Sequence, residues 1–173
     1  GPETLRNGIG GFFASDFWCY PMFRNICRRV GKPEAPGTLG LVCDPGHPAL
    51  TDFATSSHSD WPWWQIVMRS RVFVLDGTPA GLRPVVQVID NFERNHRLGL
   101  IVEARVGRGK ALVCGSPLPD LAAEHPEARQ LLRGLLAYAG SAAFAPPVAL
   151  APQAFRRLVT TGALSHSVAA ANP

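Results

Sequence analysis

NFERNHRLGLIVEARVGRGKALVC, residues 91–114, is the stretch on which the fold turns. Leu98 to Val106 is apolar almost throughout, and Lys110 to Cys114 is apolar after its lysine; both have the length of strands. Gly107-Arg108-Gly109 between them is a tight reversal, so the two runs predict an antiparallel hairpin. Beyond it, Pro126 to Ala139 carries Leu131, Leu132, Leu135, Leu136 and Ala139 on one face of 3.6-residue period, which predicts an amphipathic helix. Strand, strand and helix together make a layered α/β unit.

Working outward, Leu39 to Cys43 (LGLVC), Val72 to Leu75 (VFVL) and Val85 to Ile89 (VVQVI) read as further short strands. Asp44-Pro45-Gly46-His47-Pro48 is a turn by composition, with a short helix expected around Ala49 to Phe53. Asp60 to Met68 reads as a helix capped by Asp60, with Pro62 where the first turn tolerates it. Short helices are also expected at Pro21 to Arg29 and Gln153 to Val159. Apolar strands separated by helical patches predict a mainly parallel sheet flanked by helices, with an antiparallel hairpin at one edge. Residues 1–37 form an aromatic, glycine-rich opening segment packed on the core, 38–146 the α/β core, and 147–173 an extension with one short helix and a loose tail. Folds of the predicted kind open on a strand, and the first 38 residues hold no convincing one, which points to a piece of a larger protein. Gly1-Pro2 has the look of a protease scar.

The composition suits a folded domain: 46% hydrophobic and 17% charged over 173 residues. A charged share below the usual quarter is what a domain partly covered by other protein would show. Gly (17) and Pro (16) imply many turns. The net charge of +4 comes from scattered basic residues without aromatic platforms between them, which argues against nucleic acid as a partner. No apolar run approaches the 18 residues of a membrane helix, so no membrane partner is expected. Cys19, Cys27, Cys43 and Cys114 lack metal-site spacing, and Cys43 and Cys114 end apolar runs, where a buried thiol is common.

His58-Ser59-Asp60-Trp61-Pro62-Trp63-Trp64 is the most unusual segment. Flat indoles beside polar groups are what a sugar-binding surface needs, which makes His58, Asp60, Trp61, Trp63 and Trp64 candidate ligand contacts. The plainer reading packs Trp61 and Trp64, three apart on a helix, inward. A second candidate is the polar loop after Val85–Ile89, with Asp90, Asn91 and Glu93. Asp90 and Glu93 could serve as acid and base in glycoside hydrolysis, but a loop with Asp90 or Asn91 bonding to backbone is the simpler account. Asp44, His47, His58, Asp60 and His96 show no ligand spacing, so no metal is expected, and no motif calls for a cofactor. Neither Cys43 near His47 nor Cys114 before Gly115-Ser116 stands in a nucleophile elbow.

Taken as an ordered string, several of these motifs resemble bacterial family 2 glycoside hydrolases of the β-galactosidase type. The string comprises TLGLVCDPGHPAL (38–50), HSDWPWW (58–64), VQVIDNF (86–92), LGLIVEA (98–104), VGRGK (106–110), PEARQLL (126–132) and FAP (144–146), and the similarity runs from about Phe12 to Val159. The resemblance implies an accessory domain distal to the sugar-binding, immunoglobulin-like and barrel domains, with a class I glutamine-amidotransferase-like or flavodoxin-like fold. The hydrolytic carboxylates of that family lie in the barrel, so it implies no catalytic residue here. The amidotransferase nucleophile elbow is also missing, and Gly115-Ser116-Pro117-Leu118 stands where its His-x-Glu would follow. The expected function is therefore non-catalytic packing against other domains of a parent glycoside hydrolase, or against a second subunit in a homo-oligomer. The alternatives are a carbohydrate-binding module using residues 58–64 and a free-standing hydrolase with two carboxylates. The sequence leaves the compartment open, with the periplasm and the extracellular space both candidates for the parent enzyme.

Overall fold

The computed structural model describes residues 9–11, 29, 31, 38–90 and 95–160. Among the described residues seven strands form one sheet: β1 (Ile9–Gly11), β2 (Gly40–Cys43), β3 (Ser70–Val74), β4 (Val86–Ile89), β5 (Arg97–Val106), β6 (Gly109–Cys114) and β7 (Ala149–Leu150). The helices are α1 (Trp64–Met68), α2 (Leu118–Leu121), α3 (Pro126–Ala139) and α4 (Pro152–Thr160), with 3-10 turns at Pro48–Leu50 and Trp61–Trp63. β1 falls in the opening region where no strand was expected. The expected Pro21–Arg29 helix lies almost wholly outside the described residues.

β5 is the spine. β3 and β6 lie end to end along one side of it, β4 and β7 along the other, while β1 pairs with β3 and β2 with β4. Of these ladders only β5–β7 is parallel. The expectation of a mainly parallel, flavodoxin-like or glutamine-amidotransferase-like sheet is therefore overturned: the sheet is mixed and dominated by antiparallel pairs. The connections explain why. Parallel neighbours need a crossover of a dozen residues or more, usually helical, and the one parallel pair has it, from β5 through β6, α2 and α3 to β7. The hairpin is where the sequence put it: among the described residues β6 pairs with β5 alone, so its outer side is an edge of the sheet, while β5 itself is central. The two-residue turn of the hairpin has a positive φ at Gly107 (58°) and none at Arg108, the pattern of a II′ turn, whose first central position takes glycine.

A bulge in β5 decides which side chains face which layer. Val86 pairs with Ile101 but Gln87 with Gly99, so β5 carries one extra residue there. Leu98, Leu100 and Ile101 join Leu131, Leu135 and Tyr138 of α3 in one core, whereas Val102 and Ala104 join Phe73, Leu75 and Leu158 of α4 in the other. This is why LGLIVEA has no clean alternation: both faces are covered and the register shifts in the middle. Gly99 is required by close approach, since a Cβ there would lie 2.8 Å from Val102 Cγ2 and 2.9 Å from Pro84 Cβ. The α4 side is only partly covered, and Val42 of β2 and Ile89 of β4 remain exposed on it. Among the described residues no helix is long and apolar enough to cross a membrane.

Candidate functional site

The tryptophan segment divides by periodicity, opposite to the plainer expectation. Trp63 is fully buried: it packs edge-on against Phe53 at 4.8 Å, and its indole N–H donates to Thr55 Oγ1 at 2.7 Å. Ile66 and Val67 follow it into the core. Trp61, Trp64 and Met68, spaced i, i+3 and i+7, point outward instead, with exposures of 84%, 38% and 44%. They form an apolar stripe along the Trp61–Met68 helical unit, because that spacing returns to one side of a helix.

The polar residues of the segment are engaged in holding the loop. Asp60 occupies the N-cap position but makes no side-chain cap bond. Its Oδ2 accepts the Ser56 N–H at 2.7 Å, while Oδ1 is buried with no hydrogen-bond partner among the described residues. Ser59 Oγ accepts the Leu41 N–H at 2.9 Å, and Cys43 N–H donates to Ser57 O at 3.0 Å, so the loop lies along the outer edge of β2. His58 bridges to Val42 there and is exposed. The structure thus gathers His58, Asp60, Trp61 and Trp64 in one region and withdraws Trp63 from it.

Asp90 is buried, and its Oδ2 accepts the His96 N–H at 3.0 Å, closing the loop between β4 and β5. Asn91 and Glu93 lie outside the described residues. His96 Nδ1 lies 2.5 Å from Asp76 Oδ2, and Asp76 Oδ1 accepts the Arg97 N–H at 3.0 Å. Burial would push the Asp76 carboxyl up, but the Arg97 N–H, the His96 hydrogen bond and the charges of both residues outweigh it and hold the group below its usual value. The Arg97 guanidinium donates to Leu75 O, Thr78 O, Thr78 Oγ1 and Pro79 O, which ties the turn after β3 to the start of β5. Cys43 donates to Ser56 O at 3.3 Å, and burial pushes its thiol above its ordinary value, the opposite of what a nucleophile needs. No group of three or more His, Cys, Asp or Glu able to hold a metal occurs among the described residues.

A feature the sequence reading missed lies on β5. β4 begins opposite Ile101 and β7 begins opposite Arg105, leaving a gap on that side of the spine. An open cleft of about 700 Å³ occupies it, lined by Glu103, Asp44, His47, Gln87 and Arg83 among apolar neighbours. The bulge turns Glu103 toward α3, where it is 9% exposed and accepts the Tyr138 hydroxyl proton at 2.7 Å. Burial, reinforced by Glu103, raises the Tyr138 phenol well above its ordinary value, so the proton stays on the phenol. The signal was present in the sequence: Glu103 is the sole charge in the apolar run from Leu98 to Ala104.

No curated protein matches the chain. A family model described as a domain of unknown function (DUF8487) matches residues 1–160, and the chain belongs to that family.

Proposed function

We propose that this is an interaction domain: a non-catalytic accessory domain of a family 2 glycoside hydrolase-type polypeptide, docked on a neighbouring domain or subunit through the Trp61–Trp64–Met68 stripe. The observation that carries this reading is Trp61, 84% exposed on the outer side of a helical unit whose other side is core. A tryptophan of that kind, desolvated at the centre of an interface, contributes about 2 kcal/mol or more. The parentage rests on the motif string between Phe12 and Val159; the docking mode rests on the stripe.

Carbohydrate binding is the second reading, favoured by the exposed Trp61 and His58 in one loop. It is the weaker of the two because both Asp60 oxygens are withdrawn, one bonded to Ser56 N–H and the other buried. A sugar needs polar partners beside the stacking ring.

The test places a p-benzoylphenylalanine photocrosslinker at position 61 in the full natural polypeptide and maps the products by mass spectrometry. Crosslinks to other segments of the same polypeptide or to a second copy support docking. Absence of protein crosslinks, together with saturable quenching of tryptophan fluorescence by galactosides or glucosides that is lost in Trp61→Ala, transfers the assignment to sugar binding.

A further inference from the structure

We propose that the cleft between β4 and β7 binds a small molecule with an apolar body and a cationic amine head, and that Glu103 receives the amine. The cleft has the size of a small-molecule site, about 700 Å³. Its walls are largely apolar, with Pro84, Val85, Pro147 and Val148 flanking the gap. It lies where two strands that share one side of β5 fail to meet, and the connection through residues 80–85 walls it.

Glu103 sets the ligand chemistry. A carboxylate offers about four lone-pair directions, and among the described residues Glu103 receives one hydrogen bond, from the neutral Tyr138 hydroxyl. It forms no ion pair there. Lys110, on the same face one register step beyond Leu112, which pairs with Glu103, instead donates to Phe144 O at 2.5 Å and lies over that ring. A buried carboxylate held by one neutral donor is undercompensated, and an ammonium supplies both the missing donors and the opposite charge. His47 also lines the cleft, but its Nδ1 accepts the Ala49 N–H at 3.2 Å and its ring packs on Tyr138 at 5.6 Å, so its remaining ring N–H is a donor that adds nothing to an ammonium and leaves Glu103 as the group that receives it. Arg83 also lines the cleft, so the competing outcome is an anion held by its guanidinium.

The probe is benzylamine, with benzyl alcohol and benzoate as matched neutral and anionic compounds, titrated into the 15N-labelled chain and followed by amide chemical shifts. Benzylamine is expected to give saturable shifts at Val102–Arg105 and Val148, and to bind about tenfold or more tightly than either analogue. Glu103→Gln preserves an acceptor for Tyr138 and should weaken benzylamine by a similar factor. Ala80→Trp, at an exposed residue lining the cleft, fills the space without touching the core and should abolish the shifts even if Glu103→Gln misfolds. Shifts that fail to saturate or that map elsewhere overturn the proposal, as do equal binding of benzoate and unchanged affinity in folded Glu103→Gln.

Discussion

Tyr138→Phe should destabilise this protein far more than the loss of one hydroxyl from a surface would. Tyr138 and Glu103 are both buried, and the 2.7 Å bond between them is the hydrogen bond the carboxylate receives among the described residues. A hydrogen bond to a charged group contributes about 1.5–3 kcal/mol, and removing the donor leaves the charge buried without it, so the expected loss is roughly 2–3 kcal/mol. Glu103→Leu strands the phenol hydroxyl in the same core and should cost about 1–3 kcal/mol. The double variant Glu103→Leu/Tyr138→Phe removes both polar partners, so its loss should fall well below the sum of the single losses and leave it near the wild type. Urea unfolding followed by tryptophan fluorescence gives the cycle. Single losses that simply add, or a Tyr138→Phe loss within about 0.5 kcal/mol of zero, would show that Glu103 is adequately solvated and would undercut the argument for an amine in the cleft. The pH dependence has a definite sign. Because the folded phenol is raised above its ordinary value of 10.0, its contribution is complete below pH 10 and is lost as pH rises beyond it. That part of the alkaline loss should vanish in Tyr138→Phe.

Gly115→Ala places a Cβ 2.2 Å from Arg71 O, where β6 passes its pairing to β3, and backbone cannot yield as a side chain can. A loss of about 3 kcal/mol or more in chemical denaturation is expected, and a neutral substitution would refute that hand-over. Trp63→Ala should cost roughly 3–5 kcal/mol, since it empties a fully buried site, whereas Trp61→Ala should leave the isolated chain within about 0.5 kcal/mol of wild type; the reverse ranking in thermal melts would invert the assigned faces. Cys43 and Cys114 should alkylate slowly with iodoacetamide at pH 8 by peptide mapping, because burial raises both thiols, Cys114 to about 11. For Cys114 the associated stability is complete below its ordinary 9.0 and is lost as pH rises through about 11, so Cys114→Ala should flatten the alkaline limb there.

Local features were legible because local forces set them. The α3 helix spans the same residues, 126–139, that the leucine spacing indicated, and the Gly107 turn joins the strands on either side of it. The Asp60–Met68 helix was legible as an element but not in its orientation. Trp61 and Trp64 share a side by spacing, yet which side faces the core depends on Phe53 and Thr55, which meet Trp63 from another part of the chain. The candidate ligand residues fared likewise. Asp60 carries the right group for a ligand, and the fold engages one of its oxygens with the Ser56 N–H and buries the other.

What the sequence determined by itself was the inventory of elements: short-range periodicity, turn chemistry and proline placement fix a strand, a hairpin or a helix from neighbours a few residues apart. Only the tertiary structure decided how the strands run against one another, because strand direction follows from the path of the connections and not from the residues within a strand. It also decided the role of Glu103. In LGLIVEA the glutamate looks like one polar interruption in an apolar run. The bulge opposite Val86 and Gln87 turns it toward Tyr138, and the separation of β4 from β7 opens the cleft beside it. Both are register effects between segments distant in sequence, and such effects exist only once the chain has folded.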